Sequence, residues 1–395
     1  MTKQQLLGLL LYFATTSFAC AQTSVFTDTT YYFNDSKHIE SVIEKTVING
    51  DTVKNGAAKF FYITGNLQQI GEYKNDNLHN VWSTYFTNGK LKRKANYIEG
   101  VKNGEVISYH DNGIVKYKGV FLNDSLTGEM QLFYYDGSIK ETRNYANNQL
   151  NGITTGYYPN GNKNYSLNFV DSVKNGQFKR YYSSGMIKEE GQVKKELFFG
   201  DYKSYYENGQ IEKLYSYKVY NISGPYKVFY DNGNIMINAT YEEGKIQGNY
   251  YHYHINGCTK EYGLYRNGLR EGLWISLYDD STTYMSGRYL NGEAQGKWDI
   301  FHSNGILKQT GTYIKGISQG RWLFYFDNGN IKIKGNYTDN IENGHWVHFY
   351  ENGKVKLDIY YKMGKLDGIV TAYNEEGEII EQAEFQDNNL VRKIK

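Results

Sequence analysis

Eight histidines, two cysteines and 42 acidic residues are the side chains with which this 395-residue chain could bind metal or move protons. Three of the histidines, His110, His254 and His302, stand three residues ahead of a glycine that recurs along the chain, where the corresponding segments carry Tyr or Phe. A histidine that alternates with Tyr at a repeated position is a variant of that position. His254 and His302 lie two segments apart, roughly 19 Å across four strand spacings, which is too far to share a metal ion. His252 and His254 share one side of a strand at i and i+2, but no third ligand accompanies them. Asp111, Glu207, Asp231, Asp327 and Glu351 all precede the same glycines as turn initiators. They form neither the alternating carboxylates of a calcium loop nor the close pair of a glycosidase. Cys258 follows such a glycine with no repeating partner, and no phosphate cradle, nucleophile elbow or zinc signature occurs. The pattern therefore predicts no catalytic residue, no metal and no cofactor.

The aromatic residues leave more room for function. Forty-one Tyr, 19 Phe and five Trp include rings at regular spacing, and evenly spaced rings can pack a sheet or stack on a partner or a sugar. The row four residues before each recurring glycine is expected to be exposed, and Tyr181, Tyr205, Phe229, Tyr253 and Tyr325 are its candidate contact residues.

What positions these rings is a repeat. A turn glycine occurs every 24 residues from Gly65 through Gly89, Gly113, Gly209, Gly305, Gly329 and Gly353 to Gly377, with Ser281 the one substitute in phase. A second glycine stands nine residues earlier in each unit, from Gly56 to Gly368, with Asn80 the one substitute; Asn is the residue that best replaces Gly at positive φ. Eight residues after the turn glycine comes an aromatic, broken only by Val193, and four residues before it another, broken only by Leu277. Fourteen units without insertion mark a repeat array rather than a set of globular domains.

Each unit reads as a β-hairpin, because a strand-forming run leads into Asn-Gly, as in Tyr85-Phe86-Thr87-Asn88-Gly89, and a second run leads out. A type I′ turn of two residues is expected there, with both central residues at positive φ; a three-residue turn with a bulge is the alternative and would shift the register. Positions seven before and six after the glycine then face each other: Trp82 with Ala95, Trp274 with Gly287, Trp298 with Gly311, Trp322 with Gly335, and, as the exception, Trp346 with Ile359. The predicted architecture is all-β, an elongated twisted antiparallel meander of tandem hairpins. It would extend about 130 Å at strand spacing, with each indole over a residue of little side chain and the aliphatic position two after the glycine on the same side.

Outside the array, residues 1–21 read as an export signal: Lys3, an apolar run from Leu6 to Ala14, and Ala19-Cys20-Ala21 before Gln22. Two cleavages fit, one after Ala21 and one before Cys20 with lipidation of that cysteine. The apolar run is about half of the roughly 20 residues a spanning helix needs, so no transmembrane span is expected. Residues 22–55 are expected to form a degenerate capping hairpin, residues 56–391 the fourteen repeats, and residues 392–395 a short basic tail. Net charge of +2 from 44 basic and 42 acidic residues, without long like-charge runs, argues against nucleic acid.

The segment Gly320 to Tyr337 (GRWLFYFDNGNIKIKGNY), with Gly296 to Tyr313 beside it, resembles the MORN-repeat variant. The resemblance implies hairpins stacked into an elongated sheet that serves protein assembly or attachment near membranes. Bacterial chains of this type are often labelled antitoxins, a label that the export signal does not fit. Repeats with no reactive centre, behind an export signal, point to a non-enzymatic protein-binding scaffold in the periplasm, at the outer membrane or outside the cell. A polysaccharide binder using its aromatic rows is the alternative.

Overall fold

The computed structural model describes residues 24–395, so the export signal and Cys20 lie outside the described residues. The chain divides at Gly161 into two compact units. In each unit every regular element among the described residues is a β-strand, paired antiparallel with its neighbours in the chain. The first unit runs from Val25–Tyr32 to Gly152–Tyr157, and the second from Lys163–Val170 to Asn389–Lys393.

The two ends of a hairpin turn differently, and the Asn-Gly end departs from expectation. The Gly89 amide donates to the Phe86 carbonyl (2.9 Å) and the Phe86 amide to the Lys90 carbonyl (2.8 Å). Gly89 has φ 80°, while Asn88 is not among the residues at positive φ. This is a three-residue loop, a type I turn closed by a left-handed glycine, and not a type I′ turn. Asn88 is there for its side chain, whose Oδ1 accepts the Lys90 amide (3.0 Å). Type I′ turns lie instead at the opposite tips, where one hairpin passes to the next, as at Asn75 (49°) and Asp76 (64°) or Lys315 (50°) and Gly316 (76°).

The extra loop residue should have displaced the strand register, yet all five predicted tryptophan pairs occur: Trp82 with Ala95, Trp274 with Gly287, Trp298 with Gly311, Trp322 with Gly335, and Trp346 with Ile359. A β-bulge restores the register. Tyr85 pairs with Leu91 but Thr84 pairs with Arg93, leaving Lys92 extra. The bulge also corrects the assignment of faces. Because Tyr85 sits opposite Leu91, and Phe61 opposite Leu67, the aliphatic residue projects with that aromatic row and away from the tryptophans.

A second irregularity lies between hairpins, where Ile70 pairs with Ser83 but Glu72 pairs with His79. The excess falls at Asn80, whose φ is 56°, the left-handed conformation its glycine counterparts adopt.

Val42-Ile43 and Val47-Ile48 belong to one long strand, Asp35–Ile48, whose hairpin partner is Val25–Tyr32. At the other end Asn389–Lys393 pairs with Ile379–Gln386, and Arg392 meets Glu384 at 2.6 Å. Its side chains are exposed along the whole strand.

Candidate interaction surface

The tryptophan face is closed packing. A Cβ on Gly263 would overlap the Trp274 indole, and Gly71, Gly287, Gly311 and Gly335 stand in the same relation to Trp82, Trp298, Trp322 and Trp346. Each indole therefore covers the glycine of the preceding hairpin, eleven residues earlier, rather than its own cross-strand partner. Ile359 ceases to be an exception, since the residue eleven positions beyond it is Val370 and not Trp. The tyrosines eight residues after the turn glycine stand edge-on between successive indoles; Tyr289 is 6.1 Å from Trp274 and 5.1 Å from Trp298. All five indoles are at most 6% exposed, so none offers a face to a ligand. The indole N–H of Trp82 donates to the Glu72 carbonyl at 3.0 Å, and that of Trp346 to the Asn336 carbonyl at 3.2 Å.

A second ladder runs through the residue three before the turn glycine. The hydroxyls of Tyr62, Tyr134, Tyr182, Tyr206, Tyr230, Tyr278 and Tyr350 each donate to a backbone carbonyl 23 residues later, at 2.8 to 3.0 Å. His254 and His302 put Nε2 at the same carbonyl position, 3.0 Å from Leu277 and 3.1 Å from Tyr325; His110 does so at 3.4 Å. This explains why His alternates with Tyr: both reach a carbonyl with a donor. The bulge residue completes the position, with Lys92 over Phe86, Lys188 over Tyr182 and Lys356 over Tyr350 at 5.3 to 5.6 Å.

The candidate contacts Tyr181, Tyr205, Phe229, Tyr253 and Tyr325 are brought onto one row, but as half-buried rather than exposed residues. Their carbonyls receive the ladder just described, as at Tyr205, Phe229, Tyr253 and Tyr325. The Tyr205 hydroxyl donates to Glu190 (2.7 Å), and burial together with that carboxylate pushes the phenol up to about 12. Glu190 itself is held below the usual carboxylate range by Lys179 and Tyr205. Burial depresses His252 and His348, and neighbouring lysines add to this. Among the acidic tip residues, Asp111 is lowered by the hydrogen bond from Tyr135 (2.6 Å). Among the described residues no group of three His, Cys, Asp or Glu is placed to hold a metal ion. Cys258 is a half-buried free thiol.

At the start of the second unit, ahead of Trp274, smaller rings stand where later hairpins carry the indole. Phe178, Phe198, Tyr202, Tyr215, Tyr217, Tyr226 and Tyr241 form a connected aromatic cluster. Val193, the break in the aromatic row, pairs with Phe198, whose ring stands edge-on to Phe178 (5.6 Å) and Tyr202 (6.4 Å). The missing ring has moved across the strand pair. Beside Val193 lies a cleft of about 370 Å³ lined by Phe178, Phe198, Tyr202, Tyr215 and Tyr217, with Arg180, Glu189, Lys174 and Glu196 also in its lining. Arg180 meets Glu189 at 2.9 Å and Lys174 meets Glu196 at 3.1 Å. The Tyr202 hydroxyl donates to Glu189 at 2.5 Å, and burial raises its pKa. Sequence reasoning missed this cluster. Its signal was the coincidence of Val193, the absent tryptophans and the Leu197-Phe198-Phe199 run.

Hairpins in phase, each closed by rings and carbonyls of the next, define a β-hairpin repeat protein. The chain belongs to the MORN repeat variant family, whose model matches eleven segments: 54–75, 78–99, 102–123, 126–147, 150–171, 174–195, 200–218, 223–243, 318–339, 342–363 and 366–387. No match falls in 244–317, although the same hairpins continue there through Trp274 and Trp298. Repeats of this family are compatible with a scaffold for protein or membrane interaction. No protein of curated function matches the chain significantly. Similar solved structures include the crystal structure of TcdB2-TccC3-TEV, at 12% identity over 89% of this chain and 20% of that one, with a TM-score of 0.17. The Photorhabdus luminescens Tc holotoxin pore matches at 11% identity over 92% of this chain and 28% of that one, with a TM-score of 0.12. The chain spans less than a third of either, and overlap at this level carries no inference about shape or function.

Proposed function

We propose that this chain is a non-enzymatic interaction scaffold, exported by residues 1–21 and working at the cell envelope with a protein as its partner. The observation that carries this reading is the surface of the second unit near its aromatic cluster, where Leu197, Phe198 and Phe199 are 45 to 50% exposed in succession. Scattered apolar residues are ordinary on a surface, but here Phe198 lines the ring-lined cleft on one face of the strand while Leu197 and Phe199 project together from the other, so each face offers an apolar contact. Polysaccharide is the second reading, supported by the half-exposed rings of the cleft, whereas the buried indoles lend it nothing.

The test is fractionation followed by two binding measurements on the mature protein. Cleavage within residues 19–22 and recovery with the envelope are expected, together with a stoichiometric protein partner lost on Phe198→Ala. Saturable binding on a glycan array that disappears in Tyr217→Ala would transfer the assignment to polysaccharide. Recovery in the cytosol with residues 1–21 attached would refute export.

A further inference from the structure

The cleft beside Val193 satisfies its polar groups internally. Its four charged side chains balance, since Arg180 meets Glu189 at 2.9 Å and Lys174 meets Glu196 at 3.1 Å. Glu189 also accepts the Tyr202 hydroxyl, and Glu196 accepts the Lys174 amide at 2.8 Å. The Asn168 side chain donates to the Asn175 carbonyl at 2.6 Å, and the phenols of Tyr215 and Tyr217 bond to each other. Every polar side chain of the lining thus has a partner.

Its apolar groups are less well covered. Phe198 stacks on Tyr217 at 5.1 Å and stands edge-on to Phe178 and Tyr202, yet 45% of it remains exposed. At the next two type I′ tips Tyr217 pairs with Ile222 and Tyr241 with Ile246, whereas here Val193 pairs with Phe198, and Val193 lies in the lining. The cleft measures about 370 Å³, where roughly 150 Å³ suffices to hold benzene. One aromatic side chain fits, with the methylene that carries it. A sugar ring would bring hydroxyls out of water to a lining whose bonds are already made. A charged group would have to break one of the two ion pairs. The occupant is therefore neutral, apolar and of ring size.

We infer that this cleft receives one neutral aromatic side chain, Phe or Trp, projected by the protein partner and lying against Phe198 above Val193. The inference rests on the scaffold reading and names the group by which the partner is anchored. A single ring buried in a pocket is the usual form of such an anchor.

The full chain, with carbon-13-labelled Leu and Val methyl groups, is titrated with N-acetyl-tryptophanamide while NMR follows Leu167 and Val193, both in the lining. Saturable shifts of both are expected, with a dissociation constant on the order of 1 mM. N-acetyl-leucinamide binds about threefold or more weakly, for want of ring contacts. Val193→Tyr combined with Phe198→Ile recreates the pairing of Tyr217 with Ile222 and fills the cleft. It lowers affinity about tenfold or more, read at Leu167, while backbone-amide exchange across residues 187–205 stays as slow as in the unaltered chain. Phe198→Leu keeps an apolar residue, removes the ring and weakens binding about threefold or more. Unmoved Leu167 and Val193 methyls, equal affinity for the filled-cleft variant, or an equal response to N-acetylglucosamine would overturn the assignment. If a purified partner binds the filled-cleft variant undiminished, the cleft is wrong and the scaffold reading stands.

Discussion

Gly335→Ala tests whether an indole belongs to its own hairpin or to the one before. A methyl group at this position would overlap the six-membered ring of Trp346, which supplies its three nearest atoms, although Trp322 is the cross-strand partner. Trp346 has little freedom to withdraw, since Tyr337 and Tyr361 stand edge-on at 5.0 and 6.3 Å and its N–H is bonded to the Asn336 carbonyl. Overpacking of this kind costs about 1–3 kcal/mol, and the fixed indole places it near the upper end. Trp346→Val alone removes a 3%-exposed ring and should cost about 3–5 kcal/mol. The double variant recreates the arrangement of Ala95 with Val106, both buried in the first unit. It should therefore be more stable than the sum of the two single changes by about 1 kcal/mol or more. Native-state hydrogen exchange across residues 331–362 reads the local free energy directly. Gly335→Ala combined with Trp322→Val should show no such coupling. Coupling to Trp322 in place of Trp346, or a Gly335→Ala cost under about 0.5 kcal/mol, would refute the offset packing.

Tyr206→Phe removes one rung of the hydroxyl ladder, the 2.8 Å bond to the Phe229 carbonyl, and should destabilise its hairpin by about 0.5–1.5 kcal/mol, read by exchange at residues 229–235. Tyr205 and Tyr250 are each pushed up to about 12, chiefly by burial. The stability they add is complete below the ordinary phenol value of about 10 and is lost as pH rises toward 12, so phenolate absorbance at about pH 11 should spare both. His252 and His348 have depressed values, so their contribution is present above about 6.5 and is lost as pH falls through that value toward the folded one. Melting temperature should accordingly fall on acidification from neutral pH, and less so in His348→Gln.

The repeat period, the hairpins and the tryptophan register were legible because glycine and ring spacings survive in every unit, and strand pairing follows from them. Turn type was not legible, since Asn-Gly fits a type I′ turn as well as the loop at Asn88-Gly89; only the Lys92 bulge distinguishes them, and a bulge leaves no residue signature of its own. The faces followed the turn into error for the same reason. Gly263 and Trp274 were both visible, but the eye pairs residues within a hairpin, and the contact crosses from one hairpin to the next. The rings from Tyr181 to Tyr325 stand half-buried rather than exposed, a degree of burial that spacing alone does not carry; at Tyr205 a hydrogen bond to Glu190 ties the hydroxyl to a neighbouring strand.

The offset between glycine and indole makes the array directional in how it can be edited. Excising residues 288–311 brings Gly287 beneath Trp322 at the native spacing, and the splice is silent. Excising residues 240–263 brings Ala239 beneath Trp274, a methyl where only a hydrogen fits. Copies of equal length are therefore not exchangeable parts, and the smallest segment that can be duplicated or lost without injury runs from one glycine to the next across a turn.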